Sequence, residues 1–225
     1  MTPIRLNNGM RFDAVLFDCD GVLVDSEPIT NGILRTMLGE LGWQLTQEEC
    51  MAHFVGKALK EEVALIAEQT GRAVGDDWLG AFQQRRNAAL LEQLTAIPNV
   101  HAAVHVIHAH HGARIACASG ADRFKVEMQL RKVGLMEYFD GRIFSGYETP
   151  RSKPYPDVYL AAAAALQASP SRCAVVEDTL TGVAAGVAAG AVVFAYAPLG
   201  DGAVLRAAGA SQVFADMAEL PALLV

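Results

Sequence analysis

The chain has 225 residues, 18 Lys and Arg against 25 Asp and Glu, and a formal net charge of −7. That length can bury a full α/β core and still carry a small second unit. The acidic balance excludes nucleic acid as the expected partner, since a basic face is the usual footprint there. No apolar stretch is long enough to span a bilayer, and residues 1–8 lack the charged and apolar regions of a signal peptide, so a soluble protein with no membrane partner is expected. The four cysteines (Cys19, Cys50, Cys117, Cys173) are scattered with no C-x-x-C pairing. Cys117 and Cys173 fall in apolar runs and read as small buried hydrophobes, which fits a reduced cytoplasm. The expected state is a monomer or weak homodimer.

The first element is a short apolar run over 12–17, with the length of a buried strand. It ends in Asp18-Cys19-Asp20-Gly21, two aspartates one residue apart. A buried parallel strand that stops on carboxylates puts them at its carboxyl end, where open α/β sheets keep their active sites. At ~4 Å two such charges repel by about 4 kcal/mol at an effective dielectric near 20, an arrangement that a divalent cation relieves. From 28 to 95 no strand is evident. Ile29, Ile33, Leu34, Met37, Leu38 and Leu41 recur at helical spacing, as do Val63, Ile66, Leu90, Leu91 and Leu94, with Gly42, Gly56 and the 71–77 stretch between them. This predicts a helical insert over 27–95, dividing a core made of 1–26 and 96–225. Asp25 falls where the chain leaves the core, and Pro98 just after it returns.

A helix over 100–109 follows, with His101, His105 and His108 on one face and His110 and His111 after it. No carboxylate or cysteine completes a zinc set, so a solvated face is expected. Strands are then predicted over 114–118, 142–145, 173–176, 192–195 and 212–214, with helices over 123–133 and 158–167 between them; the alanine run of the second favours helix. Strands alternating with helices imply a Rossmann-like parallel sheet flanked by helices on both faces.

Three further sites each follow a strand. Ser119-Gly120 comes after Ile115-Ala116-Cys117-Ala118, where a hydroxyl and exposed N–H groups can hold phosphate oxygens. Lys153-Pro154-Tyr155-Pro156-Asp157 supplies a cation on a stiff turn. Glu177-Asp178-Thr179 ends the strand Cys173-Ala174-Val175-Val176, and a second carboxylate pair with water describes magnesium. Alone, a Lys-Pro or Glu-Asp pair is surface decoration; four such sites in this order describe one centre. Gly182, Gly186 and Gly190 form no phosphate loop, lacking a Gly-Lys-Ser/Thr ending. They predict close helix-to-sheet packing, with Gly190 ending the helix.

This order resembles the haloacid dehalogenase-like superfamily over essentially the whole chain. Asp18-x-Asp20-Gly21 is similar to its first motif, Ser119 to its second, Lys153 to its third and Glu177-Asp178 to its fourth, and the helical insert resembles its α-helical cap domain. Dehalogenase members lack the second aspartate and the phosphonate-cleaving branch replaces it with alanine, so Asp20 implies phosphoryl transfer. The resemblance implies that Asp18 attacks phosphorus to give an aspartyl-phosphate and that Asp20 serves as acid and then base. Mg²⁺ is implied between Asp18, the Asp20 carbonyl and Asp178, with Glu177 either a ligand through water or an orienter. Ser119 and the Gly120 N–H would hold phosphate oxygens, and Lys153 would neutralise charge. Many relatives carry asparagine where this chain has Gly120.

For the substrate, Gly56-Lys57-Ala58-Leu59-Lys60-Glu61 resembles the cap loop of sugar-phosphate members, and makes Lys57 and Lys60 candidates for a substrate carboxylate or distal phosphate. Phe144-Ser145-Gly146-Tyr147 with Arg151, Lys153-Pro154 and Pro156 resembles bacterial phosphatases acting on 6-phosphogluconate. The expected function is Mg²⁺-dependent hydrolysis of a small phosphorylated metabolite. A β-phosphoglucomutase-like transferase is the rival, although its cap loop usually carries arginine where Leu59 stands. A third alternative is a non-catalytic module that binds a phosphorylated ligand.

Overall fold

The structure, a computed structural model, describes residues 11–56, 59–200 and 202–225. Six strands form one sheet: β1 (Ala14–Phe17), β2 (Ile115–Ser119), β3 (Ile143–Ser145), β4 (Cys173–Glu177), β5 (Val192–Tyr196) and β6 (Gln212–Phe214). All neighbours pair in parallel, in the order β3-β2-β1-β4-β5-β6. Around them lie α1 (Glu27–Glu40), α2 (Gln47–Phe54), α3 (Val63–Thr70), α4 (Asp76–Gln93), α5 (Val100–His111), α6 (Arg123–Lys132), α7 (Met136–Phe139), α8 (Asp157–Ala165), α9 (Leu180–Ala188), α10 (Gly202–Ala207) and α11 (Leu220–Leu224).

β1, β2 and β4 are buried at every position, as parallel strands covered on both faces must be. Their period of two divides the side chains between two cores. Val15, Phe17, Ile115, Cys117, Ala174 and Val176 pack with α5, α6, α7 and α11 on one face. Ala14, Leu16, Ala116, Ala118, Cys173 and Val175 pack with α8, α9 and α10 on the other. Close packing on that second face depends on Gly186, whose added Cβ would stand 2.8 Å from Val193 and 3.1 Å from Val175. Gly190 takes φ +81° just past the end of α9 and stops it there.

α1 to α4 surround a third apolar cluster, built on Leu34, Met37, Leu38, Cys50, Phe54, Ile66 and Phe82. α4 joins it to the sheet, with Phe82 in this cluster and Leu90 in the first core. The chain leaves and returns side by side: Asp25 N donates to Thr95 O at 3.0 Å and Ile97 N to Leu23 O at 3.2 Å. That return is a single antiparallel bridge between Val24 and Ala96, with no strand around it.

Element edges moved by a residue or two from the sequence reading. Phe12 lies outside β1 but is 3% exposed, edge-on to Phe194. α5 runs on to His111 because that ring faces the core; Gly112, at φ +58°, stops it. α8 stops at Ala165 and Gln167 turns left-handed at φ +54°, short of the expected 167. All four cysteines are buried and free. Among the described residues no helix is long and apolar enough to cross a membrane.

Candidate active site

The order of the sheet reverses at β1, whose neighbours are β2 on one side and β4 on the other. Crevices at such a switch point are where α/β sheets bind ligands. Register sets the level: Phe17 lies opposite Cys117 and Val176, so the next residue of each strand, Asp18, Ala118 and Glu177, comes to one height. Asp18 N donates to Val176 O at 2.9 Å, which pins the aspartate there.

Asp18 is 6% exposed, and its Oδ1 accepts from Lys153 Nζ at 2.5 Å. The same ammonium donates to Glu177 Oε1 at 2.6 Å. Glu177, fully buried, uses both oxygens: Oε1 also takes the Tyr159 hydroxyl at 2.7 Å, and Oε2 takes the N–H groups of Asp178 and Thr179 at 3.0 and 3.3 Å. Thr179 then caps α9 by accepting from Gly182 N, which terminates the loop after β4 and fixes where Asp178 stands.

Asp178 is in the opposite condition. Its Oδ1 is buried, with no hydrogen-bond partner among the described residues. Gly21, at φ +77°, makes the approach possible, because a Cβ there would overlap the Asp178 carboxylate. Ligand oxygens of Asp18, Glu177 and Asp178 lie within 4.8 Å of one another. Burial, reinforced by Glu177, Asp18 and Glu27, pushes the Asp178 carboxyl well above its usual range. Burial likewise raises Asp18 to about 7 against the opposing pull of Lys153. Lys153 is itself raised well above its ordinary value, Asp18 and Glu177 outweighing burial. One ammonium thus pairs with two of three crowded carboxylates, and the orphaned oxygen of the third, among hard donors, fits a divalent cation.

Asp20 stands apart. Its Oδ1 accepts from Lys125 Nζ and Gln129 Nε2, each at 2.8 Å, and from the Ser26 hydroxyl. Burial works to raise its pKa, but these donors, Lys125 first, bring the carboxyl down to about 2. Ser119, 1% exposed, closes β2; its Oγ accepts from Ala121 N at 3.0 Å, which leaves the hydroxyl hydrogen to donate elsewhere.

A cavity of about 470 Å³ opens over these groups. Asp18, Asp20, Ser119, Gly120 and Lys153 line it from the sheet side, and Gly56, Phe54, Lys60 and Arg86 from the helical insert. Lys60 sits in a short turn, Leu59–Glu61, with its Nζ 4.3 Å from the centre of the Tyr147 ring. Lys57 lies outside the described residues.

Sequence reasoning missed Arg86, Lys125, Gln129 and Tyr159. Arg86 is 8% exposed and donates to Asp122 Oδ2 at 3.3 Å across from the insert. The signal for it was spacing: Phe82, Arg86 and Leu90 fall at i, i+4 and i+8, so a cation occupies the apolar stripe of α4. Lys125 and Gln129 similarly sit among Val126, Met128 and Leu130 on the buried side of α6. The histidines of α5 do not gather a site. His101, His105 and His110 are exposed, and the first two meet Val133 O and the Tyr138 hydroxyl. His111 departs from the expected solvated face, being 3% exposed and held down to about 4 by burial.

Residues 12–190 match the family model of haloacid dehalogenase-like hydrolases. The chain is 32% identical over 187 residues to a 6-phosphogluconate phosphatase of Escherichia coli, covering 83% of each protein. A haloacid dehalogenase-family hydrolase from Deinococcus radiodurans, solved with phosphate and sodium bound, superposes with a TM-score of 0.76 at 36% identity, over 96% of this chain and 99% of that one. CbbY of Rhodobacter sphaeroides, solved with xylulose 1,5-bisphosphate, gives a TM-score of 0.77 at 26% identity, over 93% and 96%. With these relatives, a parallel sheet that carries its carboxylates at the switch point and a helical insert above them, the chain belongs to the haloacid dehalogenase-like hydrolases, in their sugar-phosphate phosphatase group.

Proposed function

We propose that the protein hydrolyses a small sugar phosphate with a carboxylate, of the 6-phosphogluconate kind, and uses Mg²⁺. The observation that carries this is the placement of Asp18 and Asp20 in one cavity on separate donor sets. Lys153 holds the first, and Lys125, Gln129 and Ser26 hold the second. Taken by themselves, the two groups have Asp18 raised to about 7 and Asp20 brought down to about 2. Beside a bound cation Asp18 would stay ionised as the nucleophile, and the charge of the arriving phosphate would raise Asp20 toward the protonated form that an acid needs.

In this reading an Asp18 oxygen bonds to phosphorus as the ester P–O bond breaks, and Asp20 gives its proton to the leaving alcohol. Water then bonds to phosphorus, losing its proton to Asp20, and the bond to Asp18 breaks. Lys153 keeps Asp18 aimed, while the Ser119 hydroxyl and Gly120 N–H hold the equatorial oxygens. Asp18, the Asp20 carbonyl and Asp178 would hold the metal, and the buried Asp178 Oδ1 is the atom that asks for it. When bound, magnesium supplies positive charge against the phosphate dianion. Glu177 has a donor on each oxygen and orients Lys153. Residues 27–95 act as a cap over the core formed by 1–26 and 96–225, and Lys57 and Lys60 read the far end of the substrate. The protein works as a monomer or weak homodimer in the cytoplasm, where its four thiols stay reduced.

The test is phosphate release from a panel of sugar phosphates with magnesium, with a chelator, and with Asp18→Asn. Release that needs the metal and disappears in a folded Asp18→Asn protein is expected. Metal-independent release, or a variant keeping a large share of activity, refutes the assignment. β-Glucose 1-phosphate yielding glucose 6-phosphate, with no free phosphate, would establish the mutase instead.

A further inference from the structure

The three donors on Asp20 all use one oxygen. Lys125 and Gln129 are four residues apart on α6, so they share a face, and Asp122 fixes the start of that helix by capping Lys125 N at 2.9 Å. Lys125 is 6% exposed, and Gln129 and Ser26 are completely buried. Burying an ammonium and an amide is costly unless each is satisfied, and here each is spent on Asp20 Oδ1. Ser26 reaches the same atom from a different element, at the point where the chain enters α1.

A free aspartate turns about its last torsion with a broad, nearly two-fold preference, so either oxygen can face a substrate. Donors on one oxygen alone remove that freedom. We infer that Lys125, Gln129 and Ser26 form a one-sided clamp on Asp20 Oδ1 that reserves Oδ2 for proton exchange with the leaving alcohol and then with water. This rests on Asp20 being the acid and base of the proposed hydrolysis. Lys125, Gln129 and Ser26 are positioning residues; they donate to the carboxylate and neither bind phosphorus nor carry the transferred proton. The balance is simple: Oδ2–H protonates the alcohol as its bond to phosphorus breaks, and Oδ2 regains a proton from the attacking water.

The clamp has a readout that a loss of packing does not share. An alkyl leaving group needs the proton, whereas p-nitrophenolate leaves without it. In Gln129→Leu and Lys125→Met, kcat/KM for a sugar phosphate should fall at least roughly tenfold, part of the 10²–10⁴ that acid–base catalysis contributes. For p-nitrophenyl phosphate it should stay within about twofold, and Lys125→Arg, which keeps a donor, should recover most of the loss. Ser26→Ala provides the same comparison from outside α6 if either α6 variant fails to fold. Equal losses on both esters, or none on either, overturn the clamp. Asp20→Asn separates the two claims. An ester-selective loss there with none in the clamp variants sinks the clamp alone; no selective loss in Asp20→Asn sinks both.

Discussion

Replacing Gly182 by alanine should damage a protein that a helix propensity scale says it would stabilise. The position is in the first turn of α9, where alanine ordinarily gains about 1 kcal/mol over glycine. Here the added Cβ would fall inside the Glu177 carboxylate. That carboxylate is completely buried and holds Lys153 at 2.6 Å and the Tyr159 hydroxyl at 2.7 Å, so it has nowhere to retreat without breaking a buried ion pair. Breaking such a pair costs roughly 3–5 kcal/mol. Net of the helix gain, the loss should be about 2–4 kcal/mol, or roughly 5–15 °C in the unfolding midpoint for a chain of this size. Lys153 also touches Asp18, and moving it by about 1 Å should lower kcat by on the order of a hundredfold. Thermal unfolding followed by circular dichroism, beside phosphate release, measures both. Gly32→Ala is the control, since nothing lies within 4 Å of the added Cβ in the middle of α1; it should raise the midpoint. A Gly182→Ala protein that melts no lower than wild type and turns over normally would refute the role given to Glu177.

Two other outcomes are expected. Lys60→Met, and Lys57→Met beside it, should raise KM for a carboxylated sugar phosphate roughly ten- to a hundredfold, the equivalent of 1.5–3 kcal/mol, while leaving p-nitrophenyl phosphate nearly unchanged; equal effects on both substrates would remove the lysines from substrate recognition. His111 should make the fold acid-sensitive. Burial, with His110 and Arg114 adding to it against Asp13, holds its pKa down to about 4, so the unfolded chain takes up the proton first as pH falls. Stability is therefore lost between about pH 6.5 and 4, by at most about 3 kcal/mol, and is unaffected above pH 7. Urea unfolding of wild type and His111→Gln across that range tests it, and identical pH slopes in the two proteins would be the contrary result.

The sequence by itself determined the sheet and the residues at its rim. Buried parallel strands must be nearly all apolar, so the runs before Asp18, Ser119 and Glu177 announce themselves without reference to the rest of the chain, and whatever follows such a run stands at the carboxyl end. That local rule put Asp18, Asp20, Ser119 and Asp178 at strand ends, and the Lys-Pro turn in the loop after the third strand added Lys153. The fold brings Asp18, Asp20, Ser119 and Lys153 to the lining of one cavity. Tertiary structure alone decided who serves whom. Strand order put β4 beside β1 and so brought Glu177 against Lys153, and α6 turned Lys125 and Gln129 toward an aspartate more than 100 residues earlier. A lysine or arginine inside an otherwise apolar helix stripe looks on paper like an interruption. Its meaning depends on the distant carboxylate that compensates its burial, and no short-range pattern carries that. Gly182 shows the same limit: helical spacing placed it against the sheet, but only the packed fold revealed that the atom it makes room for is an oxygen of the active site.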